Sequence, residues 1–349
     1  MSSGNRPSGN VVPGLRLLAD IGGTNARFAL ARRGRDPHAV QVLGTKDYGG
    51  PAQAIAAYLG HKARGRRPES AVIAVGGPVV GDRVKFTNAP WSFSISDLRR
   101  ASAIDDLFVL NDFEALAWAL PALRGTDIRK FGRGLRDPHA PRVVFGPGSG
   151  LGVACFVPQG RAPPHTDLVV SSEGGHMSIA AGTPRESALI EALAARFGHV
   201  SWERVISGPG LPNIYQALAA IDGVAAPDPA SLGAAAVTRR ARSGRDPLAS
   251  ETMAIFSGLA GSFAGNLALG YGARGGIYLA GGVIPRLGAL FDLRAFRRRF
   301  MDKGRYRDWL AAIPTYLVLH PRQTMVGLAH YLDMLEDAAL PGESIIRRC

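Results

Sequence analysis

The sequence predicts an α/β protein of about two domains, and three observations support this fold class. The chain has 349 residues, enough for two domains of roughly 100–200 residues each. Apolar strand patterns and helical patterns alternate along it, as in mixed and α/β architectures. A strand, a glycine-rich turn and a second strand also occur twice, at residues 15–30 and 143–157. This weak repeat indicates two related lobes, each opening with a hairpin.

The elements follow from the spacing of apolar residues and from the turn residues between them. Strands are predicted at residues 15–21, 26–30, 71–75, 107–110, 143–145, 153–157 and 275–280. Helices are predicted at residues 52–59, 113–120, 187–197, 251–269 and 324–336. Residues 1–13 are rich in Ser, Gly, Asn and Pro and offer little to bury, so they are predicted to be a disordered tail.

The net charge raises the question of a polyanionic partner. Lys and Arg number 41 against 28 Asp and Glu, which gives +13. Nucleic-acid and membrane-surface proteins share such an excess. The basic residues here form only short groups, at 64–67, 239–245 and 294–299, with few aromatics among them. The pattern therefore favours an Arg-biased surface that eases the approach of anionic ligands, and we expect neither nucleic acid nor membrane as a partner.

Cysteine content and hydropathy restrict the cellular context. The two cysteines, Cys155 and Cys349, are too few for a disulfide framework or a cysteine-based zinc site. No uninterrupted apolar run approaches the ~18–20 residues of a membrane span. The polar N-terminus lacks the apolar core of a signal peptide. We therefore expect a cytoplasmic protein.

Three glycine turns, each at the end of a strand, form the first candidate site. Successive amides in such turns make a concave anion site, to which hydroxyl groups add donors. Two of the turns suit the β- and γ-phosphates of a nucleotide and the third suits its adenosine, whereas Asp20 could hold a Mg²⁺-bound water. The candidate residues are Asp20, Gly22, Gly23, Thr24 and Asn25, then Gly148, Ser149 and Gly150, then Gly281 and Gly282.

The alternative for each turn is an ordinary hairpin without a ligand. Neither of the commoner nucleotide motifs is present: the sequence has no G-x-x-x-x-G-K-[ST], and the hairpin turns lead into strands and not into helix N-termini. A P-loop NTPase and a Rossmann dinucleotide fold are therefore both disfavoured.

Asn111 and Asp112 stand where a predicted strand gives way to a predicted helix. The free amides and dipole of a helix N-terminus keep a carboxylate there ionised. An ionised carboxylate can accept the proton of a substrate hydroxyl as a general base. The alternative is simple N-capping by either residue, because both are preferred cap residues.

Glu173-Gly174-Gly175-His176 places an acid and an imidazole on one tight turn. Two glycines disfavour a helix, so this spacing does not predict helical metal ligands. Carboxylate and imidazole groups suit the hydroxyls of a polyol. A plain surface turn is equally compatible with the segment, and Glu203 between Trp202 and Arg204 could be a surface ion pair.

Together these segments resemble the bacterial ATP-dependent glucokinases of the hexokinase/actin-like ATPase superfamily, from about Leu17 to the C-terminal helix. The resemblance is carried by residues 19–28, 81–93, 110–113, 173–176, 198–205, 207–211, 265–269 and 279–285. It implies an α/β, two-lobed actin-like ATPase (ribonuclease H-like) fold with a cleft that closes on glucose. It also implies a soluble homodimer that uses ATP and Mg²⁺ to convert glucose into glucose 6-phosphate, the first step of glycolysis.

The resemblance also assigns roles and boundaries. Asp112 would deprotonate the sugar 6-hydroxyl, and Asn111, Glu173, His176 and Glu203 would hold the other hydroxyls. No direct protein ligand to a metal is implied, since Mg²⁺ would arrive with ATP. The implied small lobe comprises residues 14–122 and a C-terminal helix at about 320–337, the large lobe comprises 123–319, and 338–349 form a tail.

Two departures from the family pattern concern detail. Pro147 and Ser149 stand where the second phosphate turn more often has Ala and Thr, and residues 320–327 are less glycine-rich than usual.

Three other functions stay open: a kinase for another hexose or a hexosamine, a sugar-responsive repressor, and a basic nucleic-acid-binding protein. The repressor would need an N-terminal helix-turn-helix and usually a Cys-rich zinc loop, and the sequence offers neither.

Overall fold

The computed structural model describes residues 10–86, 91–160, 167–229 and 231–338. The chain forms two compact units. Unit 1 comprises residues 1–123, 161–167 and 320–349, and unit 2 comprises residues 124–160 and 168–319.

The described residues form fourteen strands, eleven helices and six 3-10 turns. The strands are β1 (Val11–Ile21), β2 (Asn25–Ala31), β3 (His38–Gly44), β4 (Arg67–Val75), β5 (Val79–Val80), β6 (Arg83–Lys85), β7 (Ser92–Ser94), β8 (Asp106–Asn111), β9 (Ile128–Phe131), β10 (Arg142–Pro147), β11 (Leu151–Val157), β12 (Leu168–Ser172), β13 (Ile277–Leu279) and β14 (Thr315–Val318). The helices are α1 (Pro51–Lys62), α2 (Ile95–Ser102), α3 (Asp112–Ala119), α4 (Pro184–Phe197), α5 (Gly210–Ile221), α6 (Ala234–Ser243), α7 (Pro247–Tyr271), α8 (Val283–Leu287), α9 (Leu293–Met301), α10 (Arg307–Ala311) and α11 (Gln323–Ala338). The 3-10 turns are Thr45–Asp47, Gly125–Asp127, Gly174–His176, Trp202–Arg204, Gly288–Leu290 and Gly304–Tyr306.

Unit 1 is built on a five-stranded sheet in the order β3-β2-β1-β4-β8. β1 pairs antiparallel with β2 and parallel with β4, and β4 pairs parallel with β8. The parallel strands are apolar and buried almost throughout, because helices and connecting segments cover both faces of such a sheet. A small antiparallel sheet, β5-β6-β7, belongs to the same unit.

The C-terminal helix α11 completes unit 1. It packs against α3 and β1, and Gly327 permits the approach to α3, since a Cβ there would lie 1.7 Å from the Ala115 carbonyl oxygen. Arg16 of β1 is buried and pairs with Asp333 and Glu336 of α11. A buried guanidinium needs such partners, since an unpaired charge in the interior is costly. Helix α11 is thereby tied to the centre of the sheet.

Unit 2 is built on a six-stranded sheet in the order β12-β11-β10-β13-β14-β9. β10 pairs antiparallel with β11 and parallel with β13, and β13 pairs parallel with β14. Helix α7 lies at the centre of the core and contacts α5, α6 and α9. A buried ion pair between Glu186 of α4 and Arg299 of α9 links two of the covering helices.

Helix α7 is the one helix in the described part of the chain that is long and apolar enough to cross a membrane. However, 72% of its most apolar 18-residue window is buried within the protein. A core helix passes the same test of length and composition, and the contacts of α7 are those of a core helix. Its Ser and Asn residues interrupt the apolar run in the sequence.

Five strands of each sheet share one topology, and the sheet of unit 2 adds β9 antiparallel to β14 at its edge. In each, an antiparallel hairpin (β1-β2 or β10-β11) continues into a third antiparallel strand on one side and into two parallel strands on the other. The repeat expected from the two strand–turn–strand segments is therefore present in the strand order. Every helix and strand predicted from the sequence overlaps an observed element of the same type.

The N-terminal tail is shorter than predicted. Residues 11–13 were assigned to a disordered tail, but they belong to β1, where Val11 and Val12 pair with Arg67 and Pro68 of β4. The two valines give this end of the strand its β-propensity. Residues 1–9 of the predicted tail and 339–349 of the C-terminal tail lie outside the described residues.

Candidate functional site

In unit 1 the candidate residues meet at the carboxyl edge of the parallel strands. β1, β4 and β8 end side by side, because Ile21 pairs with Val75 and Val75 pairs with Asn111. The Gly76 amide also donates to the Ile21 carbonyl at 3.3 Å. This edge is where open α/β sheets bind ligands. The topology thus brings Asp20, the first glycine turn, Asn111 and Asp112 to one edge of one sheet.

The first glycine turn closes the β1-β2 hairpin. Gly22 N–H donates to the Asn25 carbonyl at 2.9 Å. Thr45 supports the turn from outside: its amide donates to the Thr24 carbonyl and its hydroxyl donates to the Gly23 carbonyl, each at 3.0 Å. No described residue accepts a hydrogen bond from the amides of Gly23 and Thr24. Two neighbouring donors at a turn of this kind suit an anion such as a phosphate.

Asp20 precedes the first turn and forms a cross-strand pair with Arg27. Arg27 Nη1 donates to Asp20 Oδ2 at 3.0 Å. Burial raises the pKa of the Asp20 carboxyl above its ordinary value, although the Arg27 charge and hydrogen bond oppose that rise. The second carboxylate oxygen stays available, and carboxylate oxygens are the donors that Mg²⁺ or its bound water prefers. Among the described residues, only the Oδ2 contact with Arg27 is formed by this carboxylate, so the chemistry of Asp20 fits the bound water of a magnesium ion brought by a nucleotide.

Asn111 is the N-cap of α3. Its Oδ1 accepts from the amides of Phe113 and Glu114 at 2.9 and 3.3 Å, and the Glu114 carboxylate accepts from the Asn111 amide, which completes a capping box. Asn111 Nδ2 donates to the Gly77 carbonyl at 3.0 Å. The capping alternative thus describes Asn111 correctly, and its contact with a sugar stays a prediction.

Asp112 is the first residue of α3 and is half-buried. Its Oδ1 accepts from the Phe113 amide at 2.9 Å. A Cβ placed on Gly76 would lie 3.8 Å from Asp112 Oδ2, so the carboxylate faces the glycine pair that follows β4. The N-terminus of α3 favours the ionised form of this carboxylate. An ionised carboxylate at such an edge can accept a proton from a substrate hydroxyl.

Sequence reasoning missed the role of Gly76 and Gly77. These glycines end β4 and lie against Asp112 and Asn111, respectively. Their signal was present, because Gly76-Gly77 follows an apolar strand in the same way as the three turns that were singled out.

In unit 2 the second glycine turn closes the β10-β11 hairpin. Gly148 N–H donates to the Gly150 carbonyl and Gly208 N–H donates to the Gly148 carbonyl, each at 2.8 Å. Ser149 is exposed at the tip. Among the described residues, none accepts a hydrogen bond from the amides of Ser149 and Gly150. The second turn therefore also presents two neighbouring donors.

Glu203 lies against the second glycine turn. It stands in the 3-10 turn Trp202–Arg204, and its Oε2 accepts from the Leu151 amide at 2.8 Å. A Cβ on Gly150 would lie 2.4 Å from the same oxygen, so only glycine leaves room for this carboxylate. Glu203 makes no salt bridge among the described residues, which argues against the surface ion pair that the sequence left open.

Glu173 directly precedes the 3-10 turn Gly174–His176, and His176 is the last residue of that turn. The His176 amide donates to the Glu173 carbonyl at 2.9 Å, and both side chains are exposed. The turn packs tightly on β11, since a Cβ on Gly175 would lie 2.1 Å from the Leu151 carbonyl oxygen. Leu151 thus contacts both the Glu173–His176 turn and Glu203. Unit 2 brings these candidate sugar-binding residues together with the second glycine turn.

Gly281 and Gly282 follow β13 beside the second turn. The Ala280 amide donates to the Phe145 carbonyl at 2.9 Å. Gly281 has φ +83°, and a Cβ there would lie 2.8 Å from the Pro147 carbonyl oxygen, so both conformation and space require glycine. The third turn therefore lies at the base of the second.

A cavity of about 480 Å³ adjoins helix α8, which begins directly after Gly282. Its walls are mainly apolar and include Leu279, Ile284, Phe291 and Leu317. Apolar walls with few polar groups are usual for small-molecule sites. Sequence reasoning did not foresee this cavity, since its walls come from three separate segments of the chain.

The sequence of this chain is similar to that of known glucokinases. A sequence profile of the glucokinase family matches residues 17–335. The chain is 44% identical over 319 residues to a glucokinase of Paramagnetospirillum magneticum, covering 90% of this chain and 96% of that protein. It is also 44% identical over 332 residues to a glucokinase of Aromatoleum aromaticum, covering 94% and 96%.

A solved structure agrees with the sequence comparison. The crystal structure of a glucokinase from an Antarctic psychrotroph matches with a TM-score of 0.82 and 36% identity, covering 92% of this chain and 99% of that one. The α/β fold is that of the actin-like ATPases. With the profile covering most of its length and close relatives matched end to end, the chain belongs to the glucokinase family.

Proposed function

We propose that this protein catalyses ATP-dependent phosphorylation of D-glucose at its 6-hydroxyl. Its membership of the glucokinase family supports this reaction. The observation that carries the proposal is the position of Asp112: an acidic side chain at the N-terminus of α3, on the sheet edge that also holds the first glycine turn. The product would be glucose 6-phosphate, which enters glycolysis.

Asp112 is the general base in this proposal. The 6-hydroxyl oxygen attacks the γ-phosphorus of ATP, the bond from that phosphorus to the β–γ bridging oxygen breaks, and ADP leaves. The hydroxyl proton passes to the Asp112 carboxylate. The amides of α3 hold this carboxylate ionised before transfer, and the Phe113 amide fixes its orientation through Oδ1.

Four residues would bind the remaining glucose hydroxyls: Asn111, Glu173, His176 and Glu203. Carboxylate, imidazole and amide groups each expect a hydroxyl partner, so an epimer that leaves one unmatched binds less well. The exposure of Glu173 and His176, and the packing of their turn beside Glu203, support their availability to a ligand. Asn111 has most of its side chain committed to the cap and to Gly77, so we assign it the weakest contribution.

The glycine turns would bind ATP. The amides of Gly23 and Thr24 and those of Ser149 and Gly150 would donate to phosphate oxygens, and Asn25 and Gly148 would shape the two turns. Gly281 and Gly282 would lie near adenosine. Mg²⁺ would neutralise charge on the phosphates during transfer, and Asp20 would hold one of its bound waters. Pro147 supplies no amide of its own, so the donors come from the residues after it.

The proposed setting is the cytoplasm, with the enzyme as a homodimer and with no nucleic-acid or membrane partner. Full-length similarity to bacterial glucokinases and the burial of α7 support this setting. Arg-rich surface groups would then ease the approach of anionic ATP.

The test is a coupled assay with purified protein, Mg²⁺ and ATP, in which glucose 6-phosphate is reported by its dehydrogenase. Sugars without that readout are followed through ADP. We expect kcat/KM for glucose to exceed that for mannose, galactose, fructose and glucosamine. A higher value for a hexosamine or another hexose would replace glucose in the proposal, and no turnover with any sugar would overturn it.

A further inference from the structure

The segment from Glu203 to Gly208 contacts the second glycine turn at two points. Glu203 Oε2 accepts from the Leu151 amide, and Gly208 N–H donates to the Gly148 carbonyl, each at 2.8 Å. A hydrogen bond within the segment stabilises it, because the Ser207 hydroxyl donates to the Glu203 carbonyl at 2.7 Å. One contact thus lies at each end of the turn, and the two donors between them belong to Ser149 and Gly150.

The Glu203 contact is charged and partly shielded from water. A carboxylate that accepts from a backbone amide forms a stronger hydrogen bond than a neutral acceptor does. The Leu151 amide follows directly on the Ser149 and Gly150 amides, so its position sets the direction in which those donors point. Removal of the acceptor would free this end of the turn.

We propose that Glu203 is a positioning residue for the second phosphate turn, acting through the Leu151 amide, in addition to its role toward sugar. This rests on the proposed function for the identity of the ligand, a nucleoside triphosphate. One carboxylate oxygen, Oε2, orients the turn, and the other, Oε1, faces the sugar hydroxyl. Glu203 therefore affects nucleotide affinity even when no sugar is bound.

Gly150 leaves the space that the Glu203 carboxylate needs to reach the Leu151 amide. The Cβ of an alanine at this position would lie 2.4 Å from Glu203 Oε2. This contact is too short, so the carboxylate would be displaced from the Leu151 amide. The backbone of Gly150 does not lie at positive φ, so alanine fits its conformation. Gly148 is the matched control, because a Cβ there meets nothing within 4 Å and its φ is also not positive.

The experiment measures the affinity for a non-hydrolysable ATP analogue with Mg²⁺, by titration calorimetry without sugar. Glu203→Ala should weaken binding about tenfold, because the turn loses the charge-assisted hydrogen bond that orients it and must be ordered when the nucleotide binds. Glu203→Gln should stay within about threefold of the wild type, because its amide oxygen still accepts from Leu151. Glucose KM should rise in both variants. A purely structural role would lower the melting temperature without separating Ala from Gln in nucleotide affinity.

A double-mutant cycle adds the decisive comparison. Gly150→Ala should weaken nucleotide binding in the wild type but have no further effect in Glu203→Ala, since the displaced oxygen is already gone. Gly148→Ala should change affinity by the same factor in both backgrounds. Equal nucleotide affinity of Glu203→Ala and wild type, or independent effects of Gly150→Ala and Glu203→Ala, would overturn the proposal.

Failure of the proposed function would look different. The titration uses no sugar and no turnover, so an enzyme that phosphorylates another hexose would still show the Glu203→Ala effect. Absence of glucose turnover in the wild type would instead count against the substrate alone.

Discussion

The first and second glycine turns close hairpins of the same topology, yet their supports differ. Among the described residues, Thr45 contacts the first turn from outside through its amide and its hydroxyl, and the adjacent Gly44 of β3 pairs with Asn25. The second is held by Glu203 and Gly208 and packs against Gly281. Strand order thus creates an anion-binding turn twice, but later segments of the chain decide how firmly each turn is oriented.

The hairpins also differ in charge. The β1-β2 hairpin carries the Asp20–Arg27 ion pair near its turn. The corresponding cross-strand pair in the β10-β11 hairpin is Gly146 and Gly152, which carry no charge. Unit 1 therefore holds the carboxylates suited to magnesium water and to proton transfer, Asp20 and Asp112. Unit 2 holds three of the four residues proposed to bind the other sugar hydroxyls, Glu173, His176 and Glu203, and Asn111 of unit 1 is the fourth.

Replacement of the proposed base should have the largest effect. Asp112→Asn keeps the size of the side chain and its acceptor toward the Phe113 amide, but it cannot take up a proton. We expect kcat to fall by about 10²–10⁴-fold in the coupled assay. Glu114→Gln, at the same helix N-terminus, is the control and should keep most of the turnover. Near-normal kcat in Asp112→Asn would remove that residue from the chemistry.

Loss of the buried cation in unit 1 should be the largest effect on stability. Arg16→Met leaves Asp333 and Glu336 without their partner and should lower the free energy of unfolding by about 3–5 kcal/mol, measured by urea denaturation. Arg33→Met breaks the exposed pair with Asp337 and should cost at most about 1 kcal/mol. Similar losses in the two variants would contradict the view that α11 is anchored through Arg16.

Removal of one side-chain hydrogen bond to the first turn should have a moderate effect. Thr45→Val deletes the hydroxyl that donates to the Gly23 carbonyl but keeps the shape of this buried side chain. A loss of about 1 kcal/mol corresponds to a roughly fivefold rise in the KM for ATP. Thr45→Ser retains the hydroxyl and should stay close to wild type. An unchanged KM in Thr45→Val would show that nucleotide binding does not depend on the hydroxyl contact with Gly23.

The smallest expected effect is a change in how the free energy of unfolding depends on pH, through His330 of α11. Burial lowers the pKa of His330 below its ordinary value of 6.5, although Asp333, Asp167 and Asp337 oppose the shift. As the pH falls below about 6.5, the unfolded chain binds a proton before the folded one, so the free energy of unfolding decreases. His330→Gln should flatten this decrease in denaturation curves at pH 7.5 and 5.5. The exposed His139→Gln variant should retain it.

Local sequence patterns were sufficient for one part of this site. Glycine turns after apolar strands, and an acid where β8 becomes α3, are short-range signals, and each lies where it was expected. Asn111 illustrates the limit, since the same residue type suits a cap and a sugar contact, and only the geometry showed the cap.

The features that the sequence did not predict depend on contacts between segments that are distant in the chain. Glu203 meets Leu151 across 52 positions, and Arg16 meets Asp333 across 317. No local pattern encodes such partners. Val11 and Val12 were misassigned for a related reason, because their place in β1 depends on pairing with β4.

The most direct test of the central claim is to identify the product itself. Purified protein is incubated with uniformly ¹³C-labelled glucose, ATP and Mg²⁺, and the product is analysed by ¹³C and ³¹P NMR. The account predicts glucose 6-phosphate and ADP in equal amounts, with carbon–phosphorus coupling at C6. Phosphate on another hydroxyl, or ADP formed without phosphorylated glucose, would contradict it.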